Sequence, residues 1–177
     1  MRGLSRRDFV AAVAASVSLA TPRWAHGGSP DTRALRFAHT HTGERLSVEY
    51  FNQGTYLQDA LVAINHFLRD FRTSEVHRID PDLLDLLNGL TNLTGSRQPF
   101  QVISGYRSPA TNNMLRRHSE GVAAGSLHIK GQAIDIRLAD VPLVTLRQAA
   151  LTVRRGGVGY YPSSDFVHVD TGRVRTW

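Results

Sequence analysis

The sequence predicts an α+β fold, a single domain with an antiparallel sheet and flanking helices. Three observations lead there. The 177 residues, 41% hydrophobic and 20% charged, suit one globular core and make two separately cored domains unfavourable. A hairpin pattern and two amphipathic helices precede Pro99, whereas short apolar strands separated by turns bearing Gly, His, Asp and Arg follow it. The order of elements therefore lacks the regular βα alternation of a doubly wound parallel sheet. Zero Cys excludes a disulfide framework and a thiolate metal site, so any metal must use His and carboxylate.

At the amino terminus, Ser5-Arg6-Arg7-Asp8-Phe9-Val10 leads into an Ala-rich apolar stretch ending at Ala20, the charged-then-apolar order of a secretory signal. Paired arginines before Phe9 resemble a twin-arginine export signal, which delivers folded proteins and points to the periplasm. Residues 1–25 are read as this signal and 26–177 as the mature domain, with cleavage after Ala20 or Ala25. No apolar run reaches the ~18 residues of a spanning helix, so the mature form is expected to have no membrane span. Setting aside Arg2, Arg6, Arg7 and Arg23 against Asp8 lowers the formal charge from +6 to +3. The remaining excess is scattered Arg with Lys130 as the single Lys, which is no phosphate-tracking stripe, and no nucleic-acid partner is expected.

Between residues 35 and 50, two alternating runs flank His41-Thr42-Gly43-Glu44 and read as a hairpin. Residues 56–69 carry Leu57, Leu61, Ile64 and Leu68 at helical spacing. Asp80 ahead of Pro81 caps a second helix through Leu83, Leu84, Leu86 and Leu87. Strands are expected at 100–104, 133–138, 158–160 and 166–170, with helices at 109–117 and 142–154.

Three segments concentrate the residues that a hydrolytic metal site needs: Ser104 to Ser108, Ser126 to Asp135, and Asp165 to Asp170. Strand alternation puts Ile134, Ile136 and Leu138 on one face and Ala133, Asp135 and Arg137 on the other. Gly125 and Gly131 flank His128 and allow a turn that folds its imidazole toward that strand. Val167 and Val169 are expected in the core, which leaves Phe166, His168 and Asp170 opposite. Two imidazoles and a carboxylate that converge suit zinc, whose catalytic sites take three protein ligands and keep a fourth position for water. Asp165, three residues before His168, falls on the wrong face unless the turn at Tyr161-Pro162-Ser163-Ser164 brings it round; an isolated Asp there more commonly bonds its own backbone. Asp170 is either a ligand or an outer acceptor for an imidazole or an arginine, and the second role is preferred.

Together these segments resemble the zinc D-alanyl-D-alanine peptidases, of the murein endopeptidase K type. The likeness lies in SGYRSPATN (104–112), SLHIKGQAID (126–135) and GGVGYYPSSDFVHVDTGRVRTW (156–177), and extends more loosely to HTHTGE from His39. It covers most of the mature chain. It implies a D-Ala-D-Ala peptidase/hedgehog-like fold, one zinc ion per chain on His128, Asp135 and His168, Asp165 as general base, and Arg107 as the group polarising the substrate. Ser126, Asp170 and Arg137 are expected to support the ligands or bind substrate. The implied reaction is hydrolysis of peptide cross-links in bacterial peptidoglycan by metal-activated water, whose pKa zinc lowers from about 15.7 toward about 7. Asp165 would take the proton and pass it to the leaving amine while Arg107 stabilises the oxyanion. Peptidoglycan peptides are thus the expected partner. The family also contains D,D-carboxypeptidases and dipeptidases acting on D-Ala-D-Ala; the endopeptidases are the closer likeness. A serine hydrolase is disfavoured by the lack of a G-x-S-x-G elbow, and a helical zinc site by the lack of H-E-x-x-H. A non-catalytic cell-wall-binding module is the rival from another class, but structural zinc sites normally have four protein ligands.

Overall fold

The runs on either side of Gly43 do pair: β1 (Thr32–His39) and β2 (Arg45–Asn52) form an antiparallel hairpin, and a short β3 (Thr55–Tyr56) folds back on β2. The computed structural model describes residues 31–118 and 123–177, so the expected export signal and both of its cleavage points lie outside the described residues. Helix α1 (Gln58–Phe67) is shorter than the 56–69 expected, because Tyr56 is drawn into β3 and Leu57 is extended. Helix α2 (Pro81–Thr94) begins as its sequence requires, with the Asp80 carboxylate accepting from the Asp82 amide, and ends at a left-handed Gly95. There follow β4 (Phe100–Ser104), α3 (Pro109–His118), β5 (Ala133–Arg137), α4 (Leu143–Val153), β6 (Gly157–Tyr161), β7 (Phe166–Asp170) and β8 (Arg175–Thr176).

The eight strands among the described residues join one sheet in the order β3-β2-β1-β4-β5-β7-β6-β8. The sheet is mixed rather than antiparallel throughout, which corrects the expectation. β1 and β4 run parallel, as do β6 and β8. The chain between β1 and β4 includes β2, β3, α1 and α2, a crossover long enough for parallel pairing that no local pattern announces. β8 runs against β7 but lies beyond β6, and so shares the direction of β6.

Helix α2 packs on β1, and α4 on β6 and β7. The core under them holds Leu35, Phe37 and Tyr50 from the hairpin, Leu83, Leu84 and Leu87 from α2, and Ile134, Ile136, Val167 and Val169 from the central strands. Burying each large aliphatic side chain contributes roughly 1.5–3 kcal/mol, so the central strands are held with their apolar residues facing the core. Their polar residues are turned the other way, and that is where the site forms. Among the described residues, no helix is long and apolar enough to cross a membrane.

Candidate metal centre

Strands β5 and β7 are antiparallel neighbours, with Asp135 directly opposite His168. Ile134, Ile136, Val167 and Val169 are fully buried, and alternation then fixes the side taken by Asp135, His168 and Asp170. A one-residue slip would exchange the two sets, so the core sets the register of the site. His128 comes from a 3-10 turn, Leu127–Lys130, whose first amides are capped by Ser126: its hydroxyl accepts from the His128 amide at 3.4 Å. Gly131 closes that turn at φ 65°, and a Cβ there would stand 2.2 Å from the Arg78 carbonyl oxygen.

Three ligand atoms converge. His128 Nε2 lies 3.3 Å from Asp135 Oδ1, His168 Nδ1 lies 2.8 Å from the same oxygen, and the two nitrogens are 3.2 Å apart. A tetrahedral zinc site with bonds of about 2.0–2.1 Å has ligand-to-ligand edges of about 3.3 Å, so this triangle matches one face of it. The outer ring nitrogens are engaged as well. His128 Nδ1 is 2.7 Å from the Gly105 carbonyl oxygen and His168 Nε2 is 3.1 Å from Asp170 Oδ2. Both partners only accept, so both outer nitrogens carry a proton; the neutral His128 ring then turns its lone pair toward the cluster, and His168 does the same once its inner proton is displaced.

The electrostatics agree with a cation site. Burial lowers the His128 pKa and keeps the ring neutral, against the pull of Asp135. Burial also works against charge on His168, but hydrogen bonds that the ring donates to Asp135 and Asp170 outweigh it and raise that pKa. Asp135 sits well below the usual carboxylate range, because His128 and His168 more than offset its burial. A metal ion binding here competes with the proton on His168.

Asp170 is fully buried and serves as the anchor behind His168. Besides that ring it accepts from the amides of Gly157 at 3.0 Å and Gly172 at 2.9 Å, and pairs with Arg175 at 2.7 Å. These donors hold its pKa far below the ordinary value despite the burial. A Cβ on Gly157 would fall 2.6 Å from Asp170 Oδ2, which explains the glycine.

Arg107 donates through Nη2 to Asp135 Oδ2, the oxygen turned away from the two rings, and the same nitrogen is 3.1 Å from His128 Nε2. Its Nε donates to Ser104 Oγ at 2.9 Å. Asp165 is the residue that alternation alone misplaces. It takes a left-handed φ of 53° at the end of the 3-10 turn Pro162–Ser164, and its Oδ2 accepts from Arg137 Nη1 at 2.7 Å. Arg137 shares a face of β5 with Asp135, so the turn delivers Asp165 to the side of the sheet that carries the cluster. The structure thus gathers His128, Asp135, His168, Arg107, Ser126 and Asp170 in one place and pairs Asp165 with Arg137 apart from them, on the same side of the sheet.

Sequence reasoning passed over Arg175 and Trp177, which line the same pocket of about 520 Å3. The Trp177 ring lies 5.2 Å from that of His168, and its Nε1 donates to the Tyr161 hydroxyl at 2.7 Å. Tyr161 in turn stacks on Phe166 at 4.6 Å. The only signal for these residues was their place in the segment 156–177 that carried the resemblance.

Residues 28–177 match the family model described as peptidoglycan L,D-endopeptidase MepK. Over 159 residues the chain is 49% identical to the peptidoglycan L,D-endopeptidase MepK of Escherichia coli strain K12, covering 90% of this chain and 87% of that protein. The probable peptidoglycan L,D-endopeptidase MepK of Haemophilus influenzae is 49% identical over 150 residues, covering 84% of this chain and 81% of that one.

Proposed function

Because the chain belongs to the family of the peptidoglycan L,D-endopeptidase MepK, we propose that it cuts L,D-peptide cross-links of peptidoglycan with one zinc ion held by His128, Asp135 and His168. Endopeptidase action on peptidoglycan, by a metallopeptidase outside the cytoplasm, comes with the family. The choice of the L,D bond is carried over from the relatives' names, and zinc from the donor set. The observation that carries the reading is the triangle of two imidazole nitrogens and one carboxylate oxygen with edges of 2.8–3.3 Å.

Zinc suits two nitrogen ligands and one oxygen ligand, and when bound it would supply an activated water and positive charge for the scissile carbonyl. Asp165 is the base that takes a proton from the attacking water and returns it to the leaving amine. Arg107 carries a fixed charge on the cluster side of the pocket and donates to the oxygen on which negative charge develops. Asp170 holds the His168 tautomer, and Ser126 holds the turn that aims His128. Residues 1–25 carry the chain to the periplasm by the twin-arginine route, and replacing Arg6 and Arg7 by Lys is expected to block that export.

The deciding experiment is mass spectrometry of the products from defined cross-linked muropeptides, with metal analysis of the same protein. The expected result is scission at the L,D bond with zinc bound, lost in His168→Ala and on chelation, and restored to the wild type by added zinc. Release that survives chelation, or cleavage confined to D,D bonds, overturns the reading. A zinc-loaded protein that cuts nothing is a wall-binding module.

A further inference from the structure

A second depression of about 600 Å3 is lined by Gln101, Arg137, Asp140, Pro142, Leu143 and Asp165 among others. Arg137 and Asp165 both line this depression. Ser164 and Phe166, on either side of Asp165, line the catalytic pocket, and Arg137 follows Asp135 on the same face of β5.

We propose that this depression receives a free carboxylate of the substrate, which Arg137 takes in exchange for Asp165, and that the carboxylate belongs to the residue supplying the amine of the scissile bond. The inference rests on the endopeptidase reading and names the substrate group recognised beside the bond. Three arginines stand around the cluster, and two are committed. Arg107 is tied to Asp135 and Arg175 to Asp170, both carboxylates being buried. The partner of Arg137 is different: the Asp165 side chain is 63% exposed. Solvent-exposed ion pairs add little stability and exchange partners readily. Asp165 also meets Arg137 through one oxygen and one nitrogen, whereas a guanidinium offers a two-bond edge to a carboxylate that approaches squarely. Arg137 stays in place during the exchange, because its Nε is anchored on Gln101 Oε1 at 2.6 Å.

The position of Asp165 gives the side of the bond. The group that returns a proton to the leaving amine is the one Arg137 holds, so a carboxylate seated on Arg137 lies next to that amine. Binding then frees Asp165 at the moment a base is needed. A substrate with a carboxamide at that point would leave Asp165 paired.

The test uses the zinc-loaded protein and a ligand it cannot cut, the amine-side product of the cross-link, with its carboxylate either free or converted to the carboxamide. Calorimetry is expected to show the acid binding about 10- to 100-fold more tightly than the carboxamide. Arg137→Gln is expected to abolish that preference. Asp165→Asn, which removes the internal competitor, is expected to bind the acid more tightly than the wild type does while its affinity for the carboxamide is unchanged. Equal binding of the two ligands by the wild type, or weaker binding of the acid by Asp165→Asn, overturns the proposal. The same pattern of affinities in a protein that cleaves no cross-link would retire the endopeptidase reading and leave the subsite standing.

Discussion

Asp85 on α2, half-buried, and Asp135 on β5, buried, are both carboxylates with three side-chain partners, yet only one of them belongs to the candidate metal centre. Asp85 receives the hydroxyls of Tyr50 and Tyr56, each at 2.9 Å, and Arg33 Nη1 at 2.8 Å. Every partner donates, so the anion is satisfied and the cluster is closed. Asp135 has one such partner in Arg107, but its other two neighbours are imidazoles whose outer nitrogens already donate to Gly105 and Asp170. Once the inner proton of His168 is displaced, their inner nitrogens add lone pairs to those of the carboxylate. A carboxylate ringed by partners therefore does not mark a site; an excess of acceptors around it does, because only a cation can complete the set.

The comparison can be broken most severely at Arg107. If it serves the reaction rather than the ligand set, Arg107→Ala is expected to lower turnover about 10²- to 10³-fold with the zinc content unchanged, as read by steady-state kinetics and metal analysis together. Loss of zinc in that variant would move Arg107 into the group that holds the ion. Asp170→Asn probes the anchor instead. Weakening the acceptor behind His168 is expected to cost about 10- to 100-fold in zinc affinity, measured by competition with a chelator. Unchanged affinity would make Asp170 a structural anion like Asp85.

The smallest effect is expected on the other side of the comparison. Asp85→Asn should reduce stability by about 1–3 kcal/mol at neutral pH and leave turnover alone. Its pH dependence has a definite sign. Burial works against the Asp85 charge, but Arg33, Tyr50 and Tyr56 more than offset it and hold the folded pKa below the unfolded value of about 3.9. The stabilisation is then fully present above that unfolded value and is lost as pH falls through the lower folded one. Urea midpoints of wild type and variant should therefore lie furthest apart near neutrality and approach each other in acid; a gap that widens in acid would contradict the assignment.

Much of this contrast was legible in the chain. The strands carrying Asp135 and His168 show clean alternation and were readable because apolar runs bounded by turns mark buried strands. The limits of the second, 166–170, match those expected, and the first ends at Arg137, one residue short of the 133–138 expected. The three converging residues followed from those patterns and from the glycines beside His128. Asp85 passed unnoticed, since nothing local links a helix Asp to Tyr50, Tyr56 and Arg33. The two-residue strands β3 and β8 lie below the length at which periodicity has meaning, and the parallel pairing of β1 with β4 spans two helices. Asp165 was placed conditionally, as its side depends on one left-handed residue that alternation cannot anticipate.

By itself, the sequence determined which faces of the central strands are apolar, that any metal must be bound by His and carboxylate, and which residues of those types stand on the polar faces. These are properties of residue order and of the two-residue repeat of a strand. Only the tertiary structure decided that His128 meets the other two, which nitrogen of each ring points inward, and that Arg137 and Arg175 take Asp165 and Asp170. Those outcomes depend on distances between segments far apart in the chain, set by how the helices press the sheet together and not by any pattern along it.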